Sequence, residues 1–382
     1  MKILNVIPSI NPKGGGPVEG ISKIGAELTR LGHVQEIVCL DAPEEPFVSI
    51  HPRKVHALGP SKGSYRYNSA LVPWLKEHAK HYDAVIVNGL WQYNGLGTWL
   101  ALADSEVPYY VFTHGMLDPW FKRTYPLKHL KKWIYWPWAE YRVLRDATAV
   151  IFTSEEERLL ARQSFWLYRC KEAVTAYGTS VPPTDSNRLQ ELFLNQHPAL
   201  RGKRLFLFLS RIHEKKGCDL LIQAFAQIAF GNPDLHLVMA GPDQTGWASK
   251  LKIQAVSLGI ADRITWLGML QGDEKWGAYY TAEVFCLPSH QENFGITVAE
   301  ALACGKPVLI SNKVNIWREI EADGAGIISE DTAQATSQGL QQWLALPTAE
   351  KAAMKLAAKN CFETRFRIDR VADSLIRILQ KK

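Results

Sequence analysis

Two glutamates stand eight residues apart, Glu292 and Glu300, in the run Ser289-His290-Gln291-Glu292-Asn293-Phe294-Gly295-Ile296-Thr297-Val298-Ala299-Glu300. On one continuous helix their carboxylates would lie about 12 Å apart along the axis, beyond the spacing of a glycosidase pair, so they are not a hydrolytic dyad. With Glu292 in a loop and Glu300 on a helix opened by Gly295 and Thr297, they become two separate binding groups. The unpaired amides at that helix start would suit an anion. A generic helix with two surface glutamates is the plainer alternative.

A second cluster, Ser210-Arg211-Ile212-His213-Glu214-Lys215-Lys216-Gly217, follows the strand-like run Leu205–Leu209. Cations at the carboxyl end of a parallel strand stand where open α/β sheets bind ligands. Arginine can clamp phosphate oxygens bidentately and lysine adds a mobile point charge; otherwise this is a solvated loop. A third feature, Gly14-Gly15-Gly16-Pro17, follows the opening strand. Its glycines would let backbone amides approach an anion, and Pro17 suits a first helical position. It matches neither G-x-G-x-x-G nor a Walker A loop, so dinucleotide and P-loop readings lose support, and a simple turn remains open. No D-x-D pair occurs, which leaves no acidic pair to hold a metal on a diphosphate.

These turns need strands and helices behind them. Strand-like runs fall at Lys2–Ile7, Gln35–Leu40, Ala84–Asn88, Tyr109–Thr113 and Ala149–Phe152, with helical patterns near Val18–Leu31, Ser69–His81 and His129–Leu144. Gly178-Thr179-Ser180-Val181-Pro182-Pro183 and the polar stretch reaching Gly202 read as a linker. The rhythm then restarts with strands at Leu205–Leu209, Leu235–Ala240, Ile264–Leu267, Val284–Leu287 and Pro307–Ile310, a helix at Cys218–Phe230 and an amphipathic helix over Phe366–Leu379. Such alternation predicts two doubly wound α/β domains facing across a cleft. The expected division is 1–183 and 184–363, with a helix over 364–382 that could cross back to the first domain.

The 382 residues, 47% hydrophobic and 21% charged, are ordinary globular usage and exclude disordered, collagen-like and coiled-coil classes. The opening Met-Lys-Ile-Leu-Asn-Val-Ile-Pro lacks a signal peptide's apolar core, and no run of eighteen apolar residues is present. Six cysteines without a C-x-x-C pair fit scattered thiols in a reducing cytosol. The net charge of +6 is mild, but Lys122, Arg123, Lys128, Lys131, Lys132, Arg142 and Arg145 crowd between Trp120 and Arg145 among eight aromatic residues. That mixture suits an anionic membrane surface, sugar stacking or, well behind, single-stranded nucleic acid. A core-packing helix with solvated charges accounts for it equally well.

The Glu292–Glu300 segment resembles the E-x7-E signature of the retaining glycosyltransferases of family 4, which have the GT-B fold of two Rossmann-like domains. Further pieces resemble that family in order along nearly the whole chain: Gly14-Gly15-Gly16 with Leu31-Gly32-His33, Thr113-His114-Gly115, Arg211 through Lys216-Gly217, Met239-Ala240-Gly241-Pro242, Leu267-Gly268 and Gly305-Lys306-Pro307-Val308. Gly115-Met116-Leu117-Asp118-Pro119-Trp120 further resembles a branch associated with bacterial surface-polysaccharide assembly. The turn Tyr177-Gly178-Thr179-Ser180-Val181-Pro182 departs from the family's usual "PNGVD", and Ser210 stands where glycine is common.

The resemblance implies that Arg211 and Lys216 hold a donor diphosphate and that Glu300 binds the ribose. It puts Glu292 by the donor sugar, with Asn293, Phe294, Gly295 and Ile296 supplying amides. Leu267 would border the nucleotide, Gly15 and Gly16 would close over the diphosphate, and His114 would face the transferred sugar unless it is a histidine satisfied by the core. The expected activity is retaining, metal-independent transfer of a hexose from a nucleotide sugar, in all expectation a UDP-sugar such as UDP-glucose. No cofactor is expected. The acceptor would be a glycan or lipid-linked oligosaccharide in polysaccharide biosynthesis. The rivals are a nucleotide-sugar epimerase and a non-catalytic nucleotide-sugar-binding or membrane-associated module. The expected location is cytoplasmic, with 120–145 as a candidate contact to the inner face of the plasma membrane and no nucleic-acid partner.

Overall fold

The computed structural model describes residues 1–381. It divides into two compact units, the first made of Met1–Gly178 together with the segment from Ile368 onward, the second of Thr179–Arg367. The sequence-based boundary after 183 therefore lies five residues late, and the second crossing comes after Arg367 rather than 363. At the boundary Thr179 and Arg367 form a parallel bridge, with the Thr179 amide donating to the Phe366 carbonyl at 2.9 Å.

The first unit carries a seven-stranded sheet: β1 Lys2–Ile7, β2 Val34–Cys39, β3 Val55–Ala57, β4 Ala84–Asn88, β5 Tyr109–Phe112, β6 Ala149–Phe152 and β7 Glu172–Val174. All pairs are parallel, in the order β3-β2-β1-β4-β5-β6-β7. The central strands are buried on both faces, which explains why they read as largely apolar runs, broken within β1 by the buried Asn5. Leu4, Val6, Val85, Val87 and Trp136 fill one side. Ile3, Ile86, Tyr110 and Ile151 fill the other, where Leu28 and the helix Ile368–Gln380 cover them through Ala372, Leu375, Ile376 and Leu379. The Tyr110 hydroxyl donates to the Leu379 carbonyl at 3.1 Å, fixing that helix to β5.

The second unit has six parallel strands: β8 Arg204–Leu209, β9 Leu235–Ala240, β10 Ile264–Gly268, β11 Val284–Leu287, β12 Val308–Ser311 and β13 Gly326–Ser329. Their order is β10-β9-β8-β11-β12-β13. In both sheets the chain winds outward one way and then reverses, between β1 and β4 in the first and between β8 and β11 in the second. Those reversal points are where a doubly wound sheet opens a crevice at its carboxyl edge.

The structure departs from the sequence expectation in its edge strands, in the stretch after Pro183 and in the helix over His129–Leu144. The edge strands β3, β7 and β13 are three or four residues long and half-buried, too short for a pattern to show. The polar stretch after Pro183 is not all linker: Ser186–Gln196 is a helix whose Leu189 and Phe193, one turn apart, are fully buried. It packs so closely on the helix Gly272–Thr281 that a Cβ on Gly277 would stand 2.4 Å from the Leu189 carbonyl. The single helix expected over His129–Leu144 is two, Pro126–Tyr135 and Glu140–Asp146, because Pro137 lacks an amide hydrogen and its ring blocks the preceding turn.

Candidate functional site

In the second unit the loops leaving β8, β9, β10 and β11 are knitted together at the carboxyl edge. After β8 the Ser210 amide donates to the Ala240 carbonyl at 3.0 Å, and Ile212 to the Pro242 carbonyl at 3.0 Å. Gly241 sits at φ +139 with its α-carbon against this turn; a Cβ there would meet the Ser210 carbonyl at 1.7 Å. The short turn Glu214–Lys216 is capped by His213, whose Nδ1 accepts from the Lys215 amide at 3.1 Å. Gly217 then adopts the left-handed conformation and starts the helix Cys218–Ala229, so close to the β11 turn that a Cβ would stand 2.0 Å from the Pro288 carbonyl. From the other side the His290 amide and the Ser289 hydroxyl both donate to the Lys215 carbonyl, at 2.8 and 2.9 Å.

This framework brings Lys216 to Glu292. The Lys216 side chain is 7% exposed, and its ammonium donates to Glu292 Oε2. The Glu292 backbone is pinned in turn, its amide donating to the Lys313 carbonyl at 2.9 Å and its carbonyl accepting from Asn315 at 3.0 Å. Glu292 thus lies in the loop and Glu300 on the helix Ile296–Ala303, which Gly295 opens at φ +79. At that helix start the amides of Gly295, Ile296 and Thr297 have no backbone acceptor among the described residues. The Phe294 side chain is buried edge-on against Phe366, with centroids 5.5 Å apart, so only its backbone can face a ligand.

Glu300 is 3% exposed and engaged at both oxygens. Lys275 donates to Oε1 at 2.8 Å and the Tyr279 hydroxyl to Oε2 at 3.1 Å. Neither partner was singled out in the sequence; both lie on the helix after β10, one turn apart, and only the fold brings them to Glu300. Arg211 is exposed, and its guanidinium makes no hydrogen bond or ion pair among the described residues. Leu267 lies half-buried in β10. The carboxyl edge of this sheet therefore presents a free guanidinium, a buried ammonium, unpaired helix amides and two anchored carboxylates. Anionic phosphate oxygens and neutral hydroxyls are the groups such a set can bind together.

The first unit holds the remaining expected residues. Gly15, at φ +75, caps the helix Gly16–Arg30. A Cβ on Gly16 would meet nothing within 4 Å, and its φ lies outside the left-handed region, so nothing inside the unit demands glycine there. His114 follows β5 at φ +50, a conformation that costs a non-glycine residue free energy and recurs at functional sites. Its ring lies nearly parallel to those of Phe112 and Tyr177, with centroids 5.3 and 5.6 Å away and the three rings grouped in a triangle. Asn88 donates through Nδ2 to Asn5 Oδ1 at 3.0 Å, so its own Oδ1 must accept from His114 Nε2, 3.2 Å away. Nδ1 is then the acceptor for the Tyr177 hydroxyl. Burial pushes the imidazole down to about 3, which keeps this neutral tautomer. Both ring nitrogens of His114 are therefore occupied from within the unit, in line with the core-histidine alternative.

Glu157, buried and not anticipated, fixes the flanks of His114: Oε1 accepts from Thr113 Oγ1 at 2.5 Å and the Gly115 amide at 2.6 Å. Its other oxygen takes the Thr153 amide at 2.7 Å and hydroxyl at 2.6 Å. The S-x-x-E spacing from Ser154, whose hydroxyl accepts from the Glu157 amide at 3.1 Å, was the available signal.

Sequence comparison follows the same division. Residues 15–178 match the glycosyl transferase 4-like domain, and residues 190–360 match the glycosyl transferases group 1. The D-inositol 3-phosphate glycosyltransferase of Mycolicibacterium gilvum is 39% identical over 109 residues, 28% of this chain and 24% of that protein. The lipopolysaccharide core biosynthesis mannosyltransferase LpcC of Rhizobium leguminosarum is 24% identical over 247 residues, 59% of this chain and 69% of that one. The matched regions thus span from 24% to 69% of the length of these relatives. The crystal structure of Anabaena HepE in complex with UDP superposes over 100% of both chains with a TM-score of 0.79 at 19% identity, a likeness of fold. With both halves matched, in order, on two doubly wound units, the chain belongs to the family 4 type of glycosyltransferase, with the GT-B fold.

Proposed function

We propose that this glycosyltransferase moves a hexose from a UDP-sugar such as UDP-glucose to a glycan or lipid-linked oligosaccharide in polysaccharide biosynthesis, with retention and without a metal. The observation that carries the donor reading is that Arg211, Lys216 and the Gly295, Ile296 and Thr297 amides, which have no backbone acceptor among the described residues, all lie at the carboxyl edge by the reversal point of the second sheet. Fixed cations and amides there stabilise charge as it develops on a departing diphosphate. Glu300 would take the ribose hydroxyls and Glu292 the hexose hydroxyls. The UDP and UDP-glucose complexes of Anabaena HepE support the choice of base, and the name of LpcC supports the polysaccharide setting.

In a front-face substitution the anomeric carbon–phosphate oxygen bond breaks while the acceptor oxygen bonds to the same face. The acceptor proton passes to the leaving phosphate, so no carboxylate nucleophile is required. Incubating the protein with UDP-sugars, with and without acceptor and in excess EDTA, tests this reading. A glycan product whose anomeric configuration matches the donor by NMR, formed in EDTA, is expected. Inverted product, or activity lost on chelation and restored by Mg²⁺, rejects the mechanism. Free UDP released without any glycan indicates an epimerase.

A further inference from the structure

The aromatic and basic stretch after Trp120 divides into two faces, and the outward one is inverted. On the helix Pro126–Tyr135 the residues turned toward the protein are His129, Lys132 and Tyr135. His129 stacks on Phe165 at 4.8 Å, Lys132 lies over the Trp91 and Phe121 rings at 4.5 and 5.4 Å, and Tyr135 meets Tyr65 at 5.7 Å. Trp136 is fully buried behind them. The opposite face bears Leu127, Leu130 and Ile134, at 80, 58 and 68% exposure. Trp138 is 70% exposed, and Trp133 pairs at 5.9 Å with Trp166, itself 58% exposed on a different segment.

Around this apolar face stand Lys122, Arg123, Lys128 and Lys131, all exposed, and Arg169, also exposed, lines one cleft with Trp166. Residues 120–139 contain five Lys or Arg and no Asp or Glu. Glu172, nearest on the second segment, is paired with Arg158 at 2.8 Å and with Arg162. Exposed aliphatic side chains rimmed by tryptophans and cations of one sign complement an anionic bilayer surface: the chains enter the acyl boundary, the indoles sit at headgroup depth and the cations face phosphate.

We propose that Leu127, Leu130, Trp133, Ile134, Trp138 and Trp166 form a docking face for an anionic phospholipid leaflet. The proposal stands apart from the transferase reading, since vesicle binding needs no donor or acceptor.

Co-sedimentation of the intact protein with phosphatidylcholine vesicles, with and without a third of phosphatidylglycerol, tests it. The protein should bind the anionic vesicles at least about ten-fold more tightly than the neutral ones, and binding should weaken with salt. Changing Lys128 and Lys131 together to Glu should remove the anionic preference. Changing Leu127, Leu130 and Ile134 together to Gln should remove the salt-resistant part. All five side chains are exposed, so both variants should keep the wild-type melting temperature and affinity for UDP, the latter read by titration whatever the catalytic activity proves to be. Lys132 is left intact, because it packs internally. Failure of the wild type to bind anionic vesicles overturns the proposal, as does undiminished binding by both variants. If the protein ignores vesicles and instead self-associates through this face, with the Gln variant monomeric by light scattering, the face is a protein interface and the proposal fails.

Discussion

The Lys216 ammonium rests on the Glu292 carboxylate, joining the turn that leaves β8 to the turn that leaves β11. The two residues to which the family resemblance gives separate roles, one toward diphosphate and one toward sugar, are therefore a charged pair before any donor arrives. A donor whose diphosphate engages Lys216 must share or rearrange that pair.

Arg211 and Lys216 should fail in different ways. Arg211→Ala removes an exposed guanidinium that has no partner among the described residues, so the melting temperature should hold while transition-state stabilisation falls by about 2–4 kcal/mol in kcat/KM. Lys216→Ala also strips Glu292 of its cation in a largely buried setting, and should lower stability by about 1–3 kcal/mol as well. Near-normal turnover in both variants would refute the diphosphate assignment. Thermal melts beside steady-state kinetics separate the two effects.

Glu300 and Glu292 should differ too. Glu300→Gln leaves Lys275 without its carboxylate at a 3% exposed position and should weaken binding of free UDP by roughly ten-fold, about 1.4 kcal/mol. Glu292→Gln should leave free UDP binding nearly intact and reduce turnover. Calorimetric titration with UDP, compared with kcat, decides; equal losses of UDP affinity contradict the division.

A pH effect follows from Glu140, which is fully buried. Its Oε1 accepts from the Trp91 amide at 2.5 Å, while Oε2 has no hydrogen-bond partner among the described residues. Burial, the largest influence, raises this carboxyl to about 7 against the lowering effects of the Trp91 amide and Lys132. The folded state thus holds a proton that the unfolded chain has released between about 4.5 and 7. Stability from this group is complete below that window and lost as pH rises through 7. Glu140→Gln should flatten that decline and raise the melting temperature at pH 8 relative to wild type. An unchanged pH profile would count against a protonated Glu140.

The histidine contact has the opposite sign. Because His114 is pushed down to about 3, the unfolded chain binds the proton first, and its contribution is present above about 6.5 and fades as pH falls. Tyr177→Phe deletes the donor to Nδ1 and should cost about 1 kcal/mol at neutral pH. Chemical denaturation of the variant between pH 5 and 8 measures both. An unaltered midpoint would mean the hydroxyl contributes nothing.

Much of the framework was legible because the strands are buried on both faces. β1, β4, β6, β9 and β11 are predominantly apolar, interrupted by Asn5 in β1 and His236 in β9, and their bounds match the expected ones. The E-x7-E spacing correctly divided Glu292 from Glu300 between loop and helix. What stayed hidden depends on contacts remote in sequence. Lys275 and Tyr279 reach Glu300 from a helix whose own pattern announces only a surface, and Asn88, oriented by Asn5, meets His114 from one segment while Tyr177 meets it from another. The stretch 120–145 could not be assigned to core or surface from composition, because it is both: Trp136 is interior while Trp138, two residues later, is exposed.

The helix Ile368–Gln380 has a consequence for the order in which this protein can be made. Ile3, Ile86, Tyr110 and Ile151 belong to the first part of the chain to be synthesised, yet Ala372, Leu375, Ile376 and Leu379 complete the shelter over them. At about 5–20 residues per second, the ribosome takes on the order of 10–40 s to add the intervening second unit. For that interval one side of the first sheet lacks part of its cover, and a nascent chain interrupted anywhere before residue 368 would present it to chaperones and proteases.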